Sequence, residues 1–184
     1  MKKTLWQQVM PHLVSVGIFL IVALFFAKPA LESGVVMKQG DITNWEGMVH
    51  QSNLYKEKHG RFPLWTPAMY SGMPAYQISI DGPWTPLGIV DAVLKLGLPK
   101  PISMFFLASI CFYFLCICLR IRPWVAVIGG LSFAYSTTFP IFITAGHDTQ
   151  MLALAYAPAV LAGVILLFDK KYISGFIVTA LFSG

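Results

Sequence analysis

Long apolar runs alternate with short basic clusters along nearly the whole of this chain, and that alternation leaves few folds open. Residues 9–27, 102–119, 124–144 and 151–168 each hold enough consecutive apolar side chains to cross a hydrocarbon core of about 30 Å, and a fifth run begins at Tyr172. Lys2 and Lys3, then Arg120 and Arg122, then Lys170 and Lys171 recur after every second crossing. By the positive-inside rule these clusters mark the cytoplasmic side. Residues 31–100 and the turn at 145–150 are then expected together on the opposite, extracytoplasmic side. Trp6, Trp124 and Tyr172 fall near the expected interfaces, where amphipathic rings anchor a span.

Composition agrees with a membrane chain. Hydrophobic residues make up 57% of it and charged residues 11%, against about 25% charged in an ordinary soluble domain. The net charge of +5 is spread along the sequence without a basic face, which argues against nucleic-acid binding. Cys111, Cys116 and Cys118 share one apolar run and have no His or acidic neighbours at ligand spacing, so they read as packing residues. The first run exceeds the ~7–15 residues of a signal-peptide core and passes through Phe25 and Phe26 into Lys28 and Pro29 without a small-x-small cleavage site. It reads as an uncleaved span. The fifth run has too few residues before Gly184 to cross at ~1.5 Å each. The expectation is therefore an all-α membrane protein with four complete transmembrane helices and a truncated fifth, the front of a longer multispanning domain. Residues 1–30 form the first helix, 31–100 the outer loop, and 101–184 helices two to four with the start of five.

The outer loop is too long for a passive connector and too short for an ordinary independent domain. Thr43-Asn44-Trp45-Glu46 has the pattern of a capping box and Gly60 suits a helix end, which predicts a helix over 43–59. A second helix is predicted over 87–98, where Asp91 and Lys95 form an i,i+4 pair between Pro86 and Pro99. Both suit short helices lying along the membrane interface. Between them, residues 61–77 are dense in proline, glycine and aromatics. Trp65, Tyr70 and Tyr76 offer flat apolar faces with polar edges, suited to a sugar ring or equally to pinning the loop at the headgroup boundary.

Two constellations carry candidate chemistry. Asp41, in Gln39-Gly40-Asp41, stands just beyond the first span, where a carboxylate can act as general base or hold a divalent cation; it can equally be a helix N-terminal charge. Gly146-His147-Asp148 lies in the turn between the third and fourth spans, on the same expected face. His147 can move a proton or contact a phosphate, and Asp148 can join Asp41 around a metal or an acceptor hydroxyl; capping of the fourth span explains the pair as well. Arg61 can grip a phosphate in a bidentate manner, although Arg61, Lys56 and Lys58 also fit a solvated helix face. His50 and His59, nine apart, lack the i,i+4 spacing of a metal pair.

Taken in order, Gln39-Gly40-Asp41, the segment from Pro63-Leu64-Trp65-Thr66-Pro67 to Ser71-Gly72-Met73-Pro74, and Ala145-Gly146-His147-Asp148 resemble the N-terminal part of the YfhO family of bacterial membrane proteins. The resemblance covers nearly all of this chain but only the front of a family member. It implies a membrane glycosyltransferase-like protein of the GT-C architecture, integral to the bacterial cytoplasmic membrane. Such a protein moves a sugar from a polyprenyl-phosphate donor to a cell-envelope acceptor on the outer face. On that resemblance Asp41 is the acidic residue early in the first outer loop, serving as base or orienting the acceptor or a metal. His147 and Asp148 match the family's Gly-His segment. A fragment lacking the later spans is expected to be inactive alone. Two other readings stay open. A transporter subunit calls for ionisable residues inside the spans, and the runs between Ile102 and Phe168 hold none. A non-catalytic envelope scaffold is equally served by an aromatic-rich loop.

Overall fold

The computed structural model describes residues 4–32, 37–78 and 86–183. The chain is mostly helical, and the elements it forms follow from where the apolar runs break. Helix α1, Leu5–Phe26, leads through a 3-10 turn, Lys28–Leu31, to α2, Gly40–His59. A short hairpin follows, β1 Trp65–Thr66 antiparallel to β2 Met73–Pro74, with Trp65 opposite Pro74 and Thr66 opposite Met73. Then come α3 Pro86–Leu94, α4 Ile102–Cys118, α5 Pro123–Ala134, α6 Thr138–Ala145, α7 Asp148–Phe168 and α8 Tyr172–Ser183.

Helix α4 is apolar all round, and such a helix is stable only when every face is covered. It is accordingly the most enclosed element, with Ile102, Met104, Phe106 and Leu107 almost fully buried. It packs against α1, α5 and α7, and α7 carries α8 on its other side. Small residues let α7 and α8 close. A Cβ placed on Gly163 would lie 2.4 Å from Thr179 Oγ1 and 2.8 Å from the Thr179 backbone nitrogen, so the helix itself must move to admit a side chain. Gly163→Leu should therefore push α8 off α7 and lower stability by about 1–3 kcal/mol, read as a fall in melting temperature in detergent. An unchanged melt would contradict this packing.

Two helices, α1 and α7, are long and apolar enough to cross a membrane; α5 and α6 make a third span if taken together across a 40° bend. Helices α4 and α8 are apolar but shorter. The expected unbroken third span over 124–144 is thus corrected to two pieces. Pro140 contributes, because its ring crowds the carbonyl four residues back, at Ser136, where the helix breaks, whereas Pro11 and Pro158 are accommodated inside α1 and α7.

The molecule has two poles. Arg120 Nη2 donates to Asp169 Oδ2 at 3.3 Å, which brings the α4–α5 and α7–α8 turns, with their basic residues, to one end. Lys2 and Lys3 lie outside the described residues. The opposite pole gathers the end of α1, the start of α4, the α6–α7 corner and the start of α2.

The loop helices differ in detail from expectation. Helix α2 begins at Gly40, and the Thr43 hydroxyl donates back to the Gln39 carbonyl at 3.0 Å instead of capping a helix that starts after it. Docking of residues 39–42 on the α6–α7 corner overrides that local signal. The helix ends at Gly60, as its sequence predicts. The second loop helix stops at Leu94 because Leu96 and Gly97, at φ 54° and 62°, turn the chain away; the Asp91–Lys95 pair is made at 2.6 Å.

Candidate functional site

The site is built on the α6–α7 corner. Helix α6 ends at Ala145, and Gly146 adopts φ +98°, a left-handed conformation that glycine reaches without a Cβ penalty. The Gly146 and His147 backbone nitrogens both donate to Phe142 O, at 3.0 and 2.9 Å, and α7 starts at once with Asp148. The expected outer turn over 145–150 is thereby shortened to two residues. Gly146 also leaves space for a neighbour. A Cβ there would meet Ile42 Cγ1 at 3.0 Å and both Gln39 Cβ and Ile42 N at 3.2 Å, so the first turn of α2 rests directly on the corner.

That contact joins the two motifs. His147 Nε2 lies 2.5 Å from Asp41 Oδ2. Gln39 Nε2 donates to Ile143 O at 2.5 Å, satisfying a carbonyl in the last turn of α6, and to Asp148 Oδ1 at 3.2 Å. Asp148 Oδ2 accepts from the Lys100 ammonium at the mouth of α4.

The three acid–base side chains differ in what they can do. Asp148 is nearly enclosed, its side chain 11% accessible, and both oxygens are engaged, so it acts as a fixed clasp between α4, α7 and the Gln39 amide. His147 Nδ1 is buried and has no hydrogen-bond partner among the described residues. Nδ1 is unpartnered in either tautomer, so the contact on the other side of the ring decides: a carboxylate oxygen accepts, which assigns the hydrogen to Nε2, pointing at Asp41. Asp41 is more than half exposed and commits Oδ2 to the imidazole. Its Oδ1 is the oxygen left for a ligand. The accessible base is therefore the carboxylate, and the imidazole orients it.

The four candidate substrate residues are not gathered at this pair. Arg61 lies past the far end of α2, whose twenty residues put about 30 Å between it and Asp41. The chain then folds back along α2: the Lys56 ammonium sits 4.5 Å from the centroid of the Phe62 ring, and Trp45 Nε1 donates to Ile78 O at 2.7 Å. Trp65 closes over Gly72, where a Cβ would stand 2.5 Å from its Nε1. Tyr70, in the hairpin turn, and Tyr76 are both exposed. Tyr76, two residues before Ile78, is the one of the four that the return path carries toward the Asp41 end of α2.

The structure adds residues that the sequence reading passed over. Lys100 and Gln39 are tied to Asp148, and their signal was their place in Pro99-Lys100-Pro101 and Gln39-Gly40-Asp41. Beside them, a cavity of about 330 Å³ opens between the 3-10 turn, α4 and α6, lined by Phe26, Phe105, Pro140 and Ile143 among others, with Lys100 at its edge. Away from this corner, His12 Nδ1 of α1 lies 2.7 Å from Tyr113 OH of α4, and the Tyr156 hydroxyl of α7 donates to Asp91 of α3. Among the described residues no three His, Cys, Asp or Glu side chains are placed to hold a metal ion, so a divalent cation at Asp41 would take most of its oxygens from substrate and water.

No protein-family model, no curated protein and no solved structure matches this chain.

Proposed function

We propose that this chain carries the acceptor-activating centre of a membrane glycosyltransferase of the GT-C kind, as its resemblance to the YfhO family implies. The transfer takes place on the outer face of the bacterial cytoplasmic membrane. The observation that carries the reading is the Asp41–His147 pair, formed across 106 positions of sequence at a pole of the helical bundle. Asp41 Oδ1 takes the proton of an acceptor hydroxyl as its oxygen bonds to the anomeric carbon of the sugar. The bond from that carbon to the lipid phosphate breaks, and the phosphate leaves with the electron pair. His147 Nε2–H holds the carboxylate in register through Oδ2. Positive charge for the departing phosphate is at hand in the exposed Lys38.

His147→Ala removes the orienting bond and leaves the base in place, so transfer should fall by about 10²-fold. The measurement is envelope glycan composition in cells whose own copy of the gene is deleted, with variant protein levels matched. Unchanged glycans in both His147→Ala and Asp41→Asn cells would reject the enzyme reading.

A transporter subunit is the second reading, and two observations favour it. The span made by α5 and α6 is broken beside a cavity, an arrangement common where transporters bind cargo, and His12 introduces an ionisable group inside α1. Under that reading the same variants alter cargo accumulation and leave the glycan chemistry intact.

A further inference from the structure

We infer that the cavity between the 3-10 turn, α4 and α6 is a binding site for an anionic phospholipid of the surrounding bilayer, with one acyl chain in the cavity and the headgroup phosphate on Lys100. The walls are apolar: Phe26, Met37, Phe105, Pro140 and Ile143 form most of them. The polar lining residues are Lys100 and Thr144, and the Thr144 hydroxyl already donates to Pro140 O. A sugar would find almost no hydrogen-bond partners here, and a small anion would leave the apolar walls uncovered. An amphiphile with a negative head satisfies both parts.

Charge at the mouth fits that head. An ammonium has three N–H donors, and Asp148 takes one from Lys100, whose side chain is 58% accessible, so a phosphate oxygen can be held without breaking the ion pair. Lys28 sits in sequence between Ala27 and Pro29, and Lys38 follows Met37; these three neighbours line the cavity and both lysines are exposed. Against these stand Asp148, already paired, and the exposed Glu32. The cavity lies where α1 ends and α4 begins, the depth at which headgroups meet the ends of spanning helices, and an ammonium at the rim of an apolar pocket offers a phospholipid phosphate a charge-assisted hydrogen bond. This site stands independently of sugar transfer.

The test is native mass spectrometry of the delipidated full-length protein titrated with phosphatidylglycerol, with phosphatidylcholine of the same acyl chains, and with a polyprenyl monophosphate. Phosphatidylglycerol should bind roughly tenfold tighter than phosphatidylcholine. Ala30→Trp, which fills the cavity, should weaken it by about as much. The double variant Lys100→Gln with Asp148→Asn removes the ammonium without leaving a buried carboxylate unpaired, and it should abolish the preference for the anionic head. Three results would overturn the proposal: equal binding of the two phospholipids, unchanged affinity in both variants, or tighter binding of the polyprenyl monophosphate, which would make the cavity a donor site.

Discussion

Asp41→Asn should lower sugar transfer by about 10²–10⁴-fold, the range over which a positioned general base accelerates a reaction. Asparagine keeps the shape of the side chain and an oxygen to accept from His147 Nε2–H, so the 2.5 Å contact and the seating of α2 survive. What is lost is the negative charge that receives the acceptor proton. The enzyme account therefore expects a catalytic collapse in protein that is inserted and folded to the normal level. Incorporation of labelled sugar into the envelope, divided by protein amount, is the quantity to measure. A scaffold would tolerate the change, because nothing it needs depends on a proton-accepting oxygen.

Gly146→Val should have the largest structural effect at this pole. Valine at φ +98° costs roughly 1–3 kcal/mol of backbone strain, and its Cβ enters space already held by Ile42 and Gln39. Overpacking of that kind adds about 1–3 kcal/mol. The way out is for the first turn of α2 to lift away, which separates Asp41 from His147 and Gln39 from Asp148. Protease cleavage after Lys38 should become faster, and transfer should fall together with it. The milder Gly146→Ala should be partly rescued by Ile42→Ala, since Ile42 Cγ1 is the nearest atom at 3.0 Å while the Ile42 nitrogen at 3.2 Å remains. Unaltered cleavage in Gly146→Val would show that α2 is held by something else.

The polarity of the bundle was legible because it rests on runs and clusters that a one-dimensional reading can see. Arg120 and Lys170 were placed at one end from their order alone, and the Arg120–Asp169 contact joins the same two turns. The meeting of the Gln39-Gly40-Asp41 and Gly146-His147-Asp148 motifs followed from topology as a permitted arrangement. Its details did not, since partners 109 and 48 positions apart, such as Gln39 and Lys100 with Asp148, leave no periodic trace. Pro140 marks the break before α6, but Pro158 gives the same signal inside the unbroken α7, so the sequence alone does not tell the two apart. The capping pattern at Thr43 misled because local hydrogen-bond signals yield to tertiary docking, here the seat that Gly146 provides. The aromatic loop shows its sugar-stacking faces in the sequence but not their distance from Asp41. The length of α2 separates Arg61 from that residue and returns Tyr76 toward it.

The whole account turns on residues 41 and 147 meeting at one pole, on the outer side of the membrane. A membrane-impermeant bifunctional maleimide, added to intact cells carrying Asp41→Cys and His147→Cys in a background without Cys111, Cys116 and Cys118, tests both halves at once. The account predicts an internal cross-link formed from outside the cell, absent in either single variant. Two thiols that react only after the membrane is permeabilised, or that react from outside and never join, would contradict it.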